Sequence, residues 1–176
     1  MFATIYLPNC YLQAATRHQP ELQQKPVALI ETPDRKAVIT QLNLAAEKAG
    51  VNTGMTPSQG LARCLSLVIK VRSAEQEKLV DEILLQHAFT LSPNVEATAP
   101  GVCTVQFSDN RNLTAKLSRV VDQLAKNQLL ARGGIAPLPD TSFLAAHLAQ
   151  PVLEINDPTK FLAPLPIETL AIGINN

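Results

Sequence analysis

Apolar residues fall along this chain in short runs of two different periods. Phe2 to Leu7 is a β-type run closed by Pro8 and Asn9, and Asn9 is placed to cap a helix through Tyr11, Leu12 and Ala15 towards His18. After the Gln19-Pro20 break, Pro26 to Ile30 reads as a strand. Thr32-Pro33-Asp34 turns it into a second strand over Ala37 to Thr40, predicting a hairpin. Leu44 to Ala49 predicts a short helix stopped by Gly50. Thr56-Pro57-Ser58 opens another helix carrying Leu61, and Leu67 to Val71 is a strand.

The periodicity lengthens after residue 72. Ser73 and Gln76 form an S-x-x-Q capping pattern ahead of a stripe of Leu79, Val80, Ile83, Leu84 and His87, with Glu75, Glu77, Lys78, Asp81 and Glu82 mostly opposite. Strands follow over Val95 to Thr98 and Val102 to Phe107. A second amphipathic helix carries Leu113, Leu117, Val120, Val121 and Leu124. Leu129 to Ile135 reads as a strand, Ser142 to Ala149 as a helix and Val152 to Ile155 as a strand, and Asp157-Pro158 opens a last short helix. Helix, two strands, helix, strand, together with the strand at residues 2–7, predicts an α+β fold, a mixed sheet backed by two helices. Residues 9–71 then form an inserted smaller lobe.

Composition narrows the class without naming a function. The chain has 176 residues, 46% of them apolar, and 15 basic against 15 acidic side chains. That length supports one domain with a small subdomain and a core that needs no staples. No apolar run reaches the ~20 residues of a membrane helix, and Met1 to Cys10 lacks the form of a signal peptide. Cys10, Cys64 and Cys103 have no metal or disulfide spacing, so they read as small hydrophobes in a reducing cytoplasm.

Candidate chemistry is sparse. No phosphate loop, dinucleotide fingerprint, metalloprotease helix or nucleophile elbow occurs. His87, on the stripe of a helix, reads as a core or boundary residue. Gly133-Gly134 ends the expected strand and reads as a turn. Gln41-Leu42-Asn43-Leu44 superficially resembles a clamp-binding peptide but lies inside the lobe and lacks an aromatic anchor. A two-metal phosphoryl-transfer site needs carboxylates at strand ends. The first strand has none, and Glu96 and Asp109 flank the later strand pair too far apart to share an ion.

Five segments, in order, carry a resemblance. Pro20 to Ala28 is similar to the "P-x-L-x-x-K-P-V-a-V" run of Y-family translesion DNA polymerases, and Lys48 to Met55 resembles their "k-x-G-v-x-x-G-M" segment. Leu91 to Glu96 resembles "y-S-P-x-V-E", Gly134-Ile135-Ala136 resembles "G-I-A", and Phe161 to Gly173 resembles the palm-to-thumb junction. The resemblance implies a palm over 1–10 and 72–165, fingers over 11–71, and the start of a thumb over 166–176. It also implies where catalytic groups would stand. The first-strand aspartate falls on Tyr6, with its companion on Pro8, and the "S-I-D-E" motif falls on Thr98-Ala99-Pro100-Gly101. The triphosphate-binding tyrosine and arginine fall on Leu44 and Glu47, a charge reversal. An aromatic that excludes ribonucleotides persists as Tyr11, and the palm-helix lysine falls near His147.

Loss of the metal carboxylates on a retained scaffold resembles the ImuB branch, polymerase-like adaptors without catalysis in bacterial SOS-type mutagenesis. That likeness implies no metal or other cofactor, a cytoplasmic location, and weak DNA contact by palm and fingers alone. The implied partners are a RecA-like accessory protein, an error-prone replicative-type polymerase and the sliding clamp. An active nucleotidyltransferase drawing ligands from Glu96, Asp109 or Glu31, and an unrelated α/β interaction domain, are the alternatives.

Overall fold

The computed structural model of the chain describes residues 1–169; the end of the junction motif at Gly173 and residues 170–176 of the expected thumb start lie outside them. In chain order the elements are β1 (Phe2–Tyr6), α1 (Cys10–Thr16), β2 (Val27–Ile30), β3 (Ile39–Leu42), α2 (Leu44–Lys48), α3 (Pro57–Arg63), β4 (Val68–Val71) and α4 (Ala74–Phe89). There follow β5 (Val95–Ala99), β6 (Val102–Gln106), α5 (Leu113–Lys126), β7 (Arg132–Ala136), α6 (Pro139–Leu148), β8 (Val152–Glu154) and α7 (Pro158–Leu162). Two compact units emerge among the described residues, one of residues 1–8 and 81–169, the other of residues 9–80, so the second boundary falls inside α4. Among the described residues no helix is long and apolar enough to cross a membrane.

The first unit is an α+β layer structure on a mixed sheet ordered β5-β6-β1-β7-β8. β1 lies between antiparallel β6 and β7, and β8 runs parallel to β7. Ala3, Ile5 and Leu7 point to one face and Thr4 to the other, and all four are buried. On the Ile5 face lies α5, whose Leu113, Leu117, Val120, Val121 and Leu124 are all buried, as their spacing predicts. The opposite face is not open. α6 covers it, so the mixed sheet has a helix on each face.

That packing also corrects the reading of Gly133-Gly134. Both residues lie within β7, opposite Ile5 and Thr4, rather than in a turn. A methyl group on Gly133 would stand 2.6 Å from Leu117 Cδ2. One on Gly134 would stand 2.2 Å from both Ala146 N and Ser142 O. The glycines let two helices approach the sheet from opposite sides. β7 itself starts at Arg132 rather than Leu129, and α6 starts at Pro139 rather than Ser142, because proline is tolerated in a first turn.

Buried hydroxyls fix the α6 face. Thr98 bonds Thr104 at 2.9 Å, Thr104 bonds Thr4 at 3.3 Å, and Thr4 bonds Ser142 at 2.8 Å. Ser142 Oγ lies 2.7 Å from Pro139 O. Each buried hydroxyl is thereby satisfied, and β5, β6, β1 and α6 are held in one register. In α4 the buried line is Val80, Leu84 and Ala88, while Leu79 is 47% exposed. The face is therefore rotated from the expected one, although Ser73 Oγ does accept from Gln76 N at 3.4 Å.

The second unit holds a three-stranded sheet ordered β3-β2-β4. β2 and β3 form the expected antiparallel pair, and β2 runs parallel to β4. One core gathers Ala28, Ile30, Ala37, Ile39, Ala46, Val51, Cys64 and Leu67, and the other gathers Leu12, Ala15, Leu22, Val27 and Leu29. α3 opens with a complete capping box between Thr56 and Gln59. Asn9 does not cap α1 with its side chain: it sits at φ 50, and its Nδ2 donates to Leu42 O at 3.1 Å. Gln41 Oε1 accepts from Leu12 N at 2.9 Å, and Asn43 caps α2 while bonding Val27 N and Lys25 O. The Gln41 to Leu44 segment is thus built into the lobe.

Candidate functional site

In the first unit, the positions singled out on β1 and on the β5–β6 turn meet at one end of the sheet. Tyr6 is the last residue of β1 and pairs in register with Val102 and Arg132. Leu7 N donates to Gly101 O at 2.8 Å, which fixes the turn containing Pro100 against the strand exit. Gly101 adopts φ 67, a left-handed conformation suited to glycine. Its amide donates to Asp81 Oδ1 of α4 at 3.2 Å. Tyr6, Pro8, Pro100 and Gly101 therefore lie together where a strand-end metal site would be built, and none of them supplies a carboxylate. Among the described residues no group of three or more His, Cys, Asp or Glu side chains is placed to hold a metal ion.

Aromatic rings occupy that end instead. Tyr6 stacks on His147 of α6 with ring centroids 3.9 Å apart and planes 21° from parallel. Phe143, one turn earlier, leans on the same imidazole at 4.3 Å and 47°. A carbonyl only accepts, so the 2.9 Å contact of His147 Nδ1 with Phe143 O places the proton on Nδ1. Nε2 is then an acceptor, buried and without a hydrogen-bond partner among the described residues. Burial lowers the His147 pKa, and the Arg132 charge lowers it further against the opposing Phe143 bond. The neutral ring is the favoured form. Arg132 Nη1 donates to His147 O at 3.0 Å, placing a cation at the C-terminal end of α6.

Cys103 faces the opposite side of the sheet, beside Ile5. Burial pushes its thiol up to about 12, and Asp81 adds to the effect. It is a core residue without nucleophilic character.

In the second unit Tyr11 is held by a charge cluster. The Arg72 guanidinium lies 3.7 Å above the centre of its ring. Two bonds of 2.9 Å to Glu77 and a 3.5 Å contact to Glu31 fix Arg72 in turn. Bidentate geometry and a nearly covered Glu77 make this a strong pair, and its hydrogen bonds raise the Arg72 pKa. Burial raises the phenol of Tyr11, with Cys10 adding and Arg72 opposing. Leu44 is 63% exposed at the start of α2. Glu47 is exposed in the first turn of that helix, where an acid suits the N-terminal dipole.

The remaining expected acids are dispersed. Glu96 is exposed on β5 opposite Thr104. Asp109 is tied to Arg111 at 3.1 Å and to Lys116 at 3.9 Å. Phe143 was not singled out from the sequence, and Asp81 and Glu77 were read only as part of the polar face of α4. The spacing of Phe143 and His147, four apart on one helix, was the available signal.

The model of the impB/mucB/samB family matches residues 5–146. A DNA polymerase IV of Glaesserella parasuis is 27% identical over 171 residues, covering 92% of this chain and 48% of the relative. One from Actinobacillus pleuropneumoniae is 25% identical over 172 residues with the same coverage. The chain thus spans about half the length of the curated relatives it matches. Among solved structures, an insertion ternary complex of Dbh DNA polymerase superposes with a TM-score of 0.82 at 16% identity, over 96% of this chain and 53% of that one. DinB from Sulfolobus solfataricus superposes with a TM-score of 0.80 at 16% identity, over 96% and 52%.

Proposed function

Because the chain belongs to the impB/mucB/samB family, within the Y-family DNA polymerase superfamily, we propose that it is a palm-and-fingers module without catalysis. On this reading it serves as an ImuB-type adaptor in bacterial translesion synthesis and damage-induced mutagenesis. The observation that carries the reading is the Tyr6–His147 stack at the exit of β1. Phosphoryl transfer by two metal ions needs carboxylates that hold the ions against the phosphates. Here a phenol, a proline and a glycine stand at Tyr6, Pro100 and Gly101, and Phe143 and His147 fill the neighbouring helix face with rings.

The second unit supports the same reading. Glu47 and Leu44 offer no cation to a triphosphate, and Arg72 is engaged by Glu77 and Glu31. Tyr11 keeps an aromatic ring at the sugar-selecting position, yet the ring carries a guanidinium over its face. An active site built from Glu96, Asp109 and Glu31 has no support in these positions: Asp109 and Glu31 are ion-paired, and Glu96 lies on an exposed edge strand. Family membership removes the reading as an unrelated α/β domain.

An adaptor of this kind would work through other proteins, and by likeness these are a RecA-like accessory protein, an error-prone replicative-type polymerase and the sliding clamp. DNA contact by these two units would be weak. Arg72 is paired with Glu77 and Lys116 lies near Asp109, and the chain as a whole carries no net charge to drive counterion release.

Manganese titration followed by amide relaxation tests the proposal on this chain. No selective broadening of the Tyr6, Leu7 or Gly101 amides is expected at millimolar manganese. Broadening there at micromolar manganese, together with chelator-sensitive nucleotide incorporation on a primed template, would overturn it.

A further inference from the structure

An open strand edge presents unpaired amides and carbonyls that pair readily with another chain, and folded proteins blunt such edges. Three of the four sheet edges here are blunted. Outside β3, Ile39 N donates to Met55 O and Gly54 N donates to Ile39 O, each at 2.8 Å. β5 is broken by an irregularity between Ala97 and Ala99 and carries Glu96. β8 is only three residues long, with Glu154 bonded to Thr114.

β4 has none of these devices. Its ladder with β2 runs unbroken from Val68 to Val71. Val68 N and Arg72 N donate inward to Pro26 O and Ile30 O at 2.9 and 3.0 Å. Alternation then turns the Ile69 and Val71 amides and carbonyls outward. Among the described residues no hydrogen bond is made to those two amides. Val71 is 40% exposed.

Charge selects the occupant. Lys70 stands in the middle of the edge and has no ion pair among the described residues, whereas Arg72 beside it is neutralised by Glu77. The unit of residues 9–80 carries nine basic and six acidic side chains, and the rest of the chain carries six and nine. Zero net charge therefore conceals a basic unit with a bare edge.

We propose that the outer edge of β4 docks an extended segment of an acidic partner protein, which joins the sheet as a fourth strand. Backbone bonds to Ile69 and Val71 supply the attachment. Apolar side chains of the segment lie over the Ile69 and Val71 side, and carboxylates lie over the Lys70 side. This stands independently of whether the strand-end site is catalytic.

The test uses the whole chain and a blocked seven-residue peptide of alternating valine and glutamate. Saturable shifts of the Ile69 and Val71 amides are expected, with slowed hydrogen exchange at both. Val71→Pro removes an outward amide without touching the β2 ladder and should abolish the shifts, as should N-methylation of the peptide. Lys70→Glu should weaken the glutamate peptide about fivefold and favour a valine–lysine peptide, since opposite cross-strand charges attract and like charges repel. If Val71→Pro fails to fold, the N-methylated peptide and Lys70→Glu decide. No shift at millimolar peptide, equal response to both peptides, or shifts surviving in folded Val71→Pro overturn the proposal. Peptide-free self-association that Val71→Pro abolishes would assign the edge to a second copy and overturn the acidic-partner assignment.

Discussion

Replacing Gly134 by alanine should be among the most damaging single-methyl changes in the chain. The added carbon would stand 2.2 Å from Ala146 N and Ser142 O and 2.7 Å from Ala145 C. These are backbone atoms of α6, so no side chain can rotate away, and the helix itself must lift by roughly 1.3–1.8 Å to restore contact distances of 3.5–4.0 Å. Overpacking of this kind costs about 1–3 kcal/mol. The lift also stretches the 2.8 Å Thr4–Ser142 bond, and losing a buried bond adds about 1 kcal/mol. A total of about 2–4 kcal/mol is expected, a large share of the 5–15 kcal/mol typical of a whole domain. Gly133→Ala meets the Leu117 side chain rather than backbone and should cost about 2 kcal/mol. Gly50→Ala and Gly54→Ala meet nothing within 4 Å, so only their φ of 83 and 82 opposes them, at about 1–2 kcal/mol. Urea unfolding of the four variants should rank them in that order at unchanged slope. Ala146→Gly should not rescue Gly134→Ala, because the clash is with the nitrogen, whereas Leu117→Ala should partly rescue Gly133→Ala. A Gly134→Ala midpoint no lower than that of Gly50→Ala would refute the close approach of α6.

Other consequences follow from single side chains. The folded-state pKa of His147 is depressed, so the unfolded chain binds that proton first; stability should be full above pH 6.5 and fall as pH drops below it. His147→Phe should flatten the His147 part of that dependence, as read by melting temperature from pH 7.5 to 5. Of the three thiols only Cys10 is partly exposed, so a thiol reagent should label one site quickly in the native chain and three after unfolding; rapid native labelling of Cys103 would contradict its burial. Arg72→Ala removes the guanidinium that opposes the upward shift of Tyr11, so the phenol should titrate higher still by absorbance, with a stability loss of about 1–3 kcal/mol. Tyr6→Asp with Pro100→Asp and Gly101→Glu should not yield metal-dependent nucleotide incorporation, because Glu47 remains and the new glutamate must adopt φ 67.

Much of the layer architecture was legible because the strongest periodic segments face one environment along their whole length. In α5 every apolar position of the stripe is buried, and the order of strands around it follows from short β-type runs. α4 was misread for a physical reason. Its residues divide between two compact units at Val80, so one amphipathic stripe does not describe it, and Leu79 is exposed although its spacing marks it as core. Gly133-Gly134 was misread because a glycine pair carries the same local signal in a turn and in a strand pressed by helices. Only Leu117 and Ala146, 16 and 12 residues further from the nearer of the two by chain, distinguish the cases.

The candidate site was legible as positions and opaque as chemistry. Resemblance pointed to Tyr6, Pro100, Gly101 and the His147 region as separate positions. Geometry joins them at one end of the sheet. Carboxylates crowded at a strand exit repel one another unless ions or cations offset their charge. A desolvated, neutral imidazole such as His147 does not supply that charge, while Arg132 keeps its charge as it bonds the His147 carbonyl. A phenol at position 6 removes the repulsion and gives the imidazole a stacking face. A glycine at position 101 lets the turn close on Leu7 through its carbonyl while its amide reaches Asp81. A carboxylate at half-buried position 6 would lose the ring stack on His147 and lie beside Arg132, its in-register neighbour on β7.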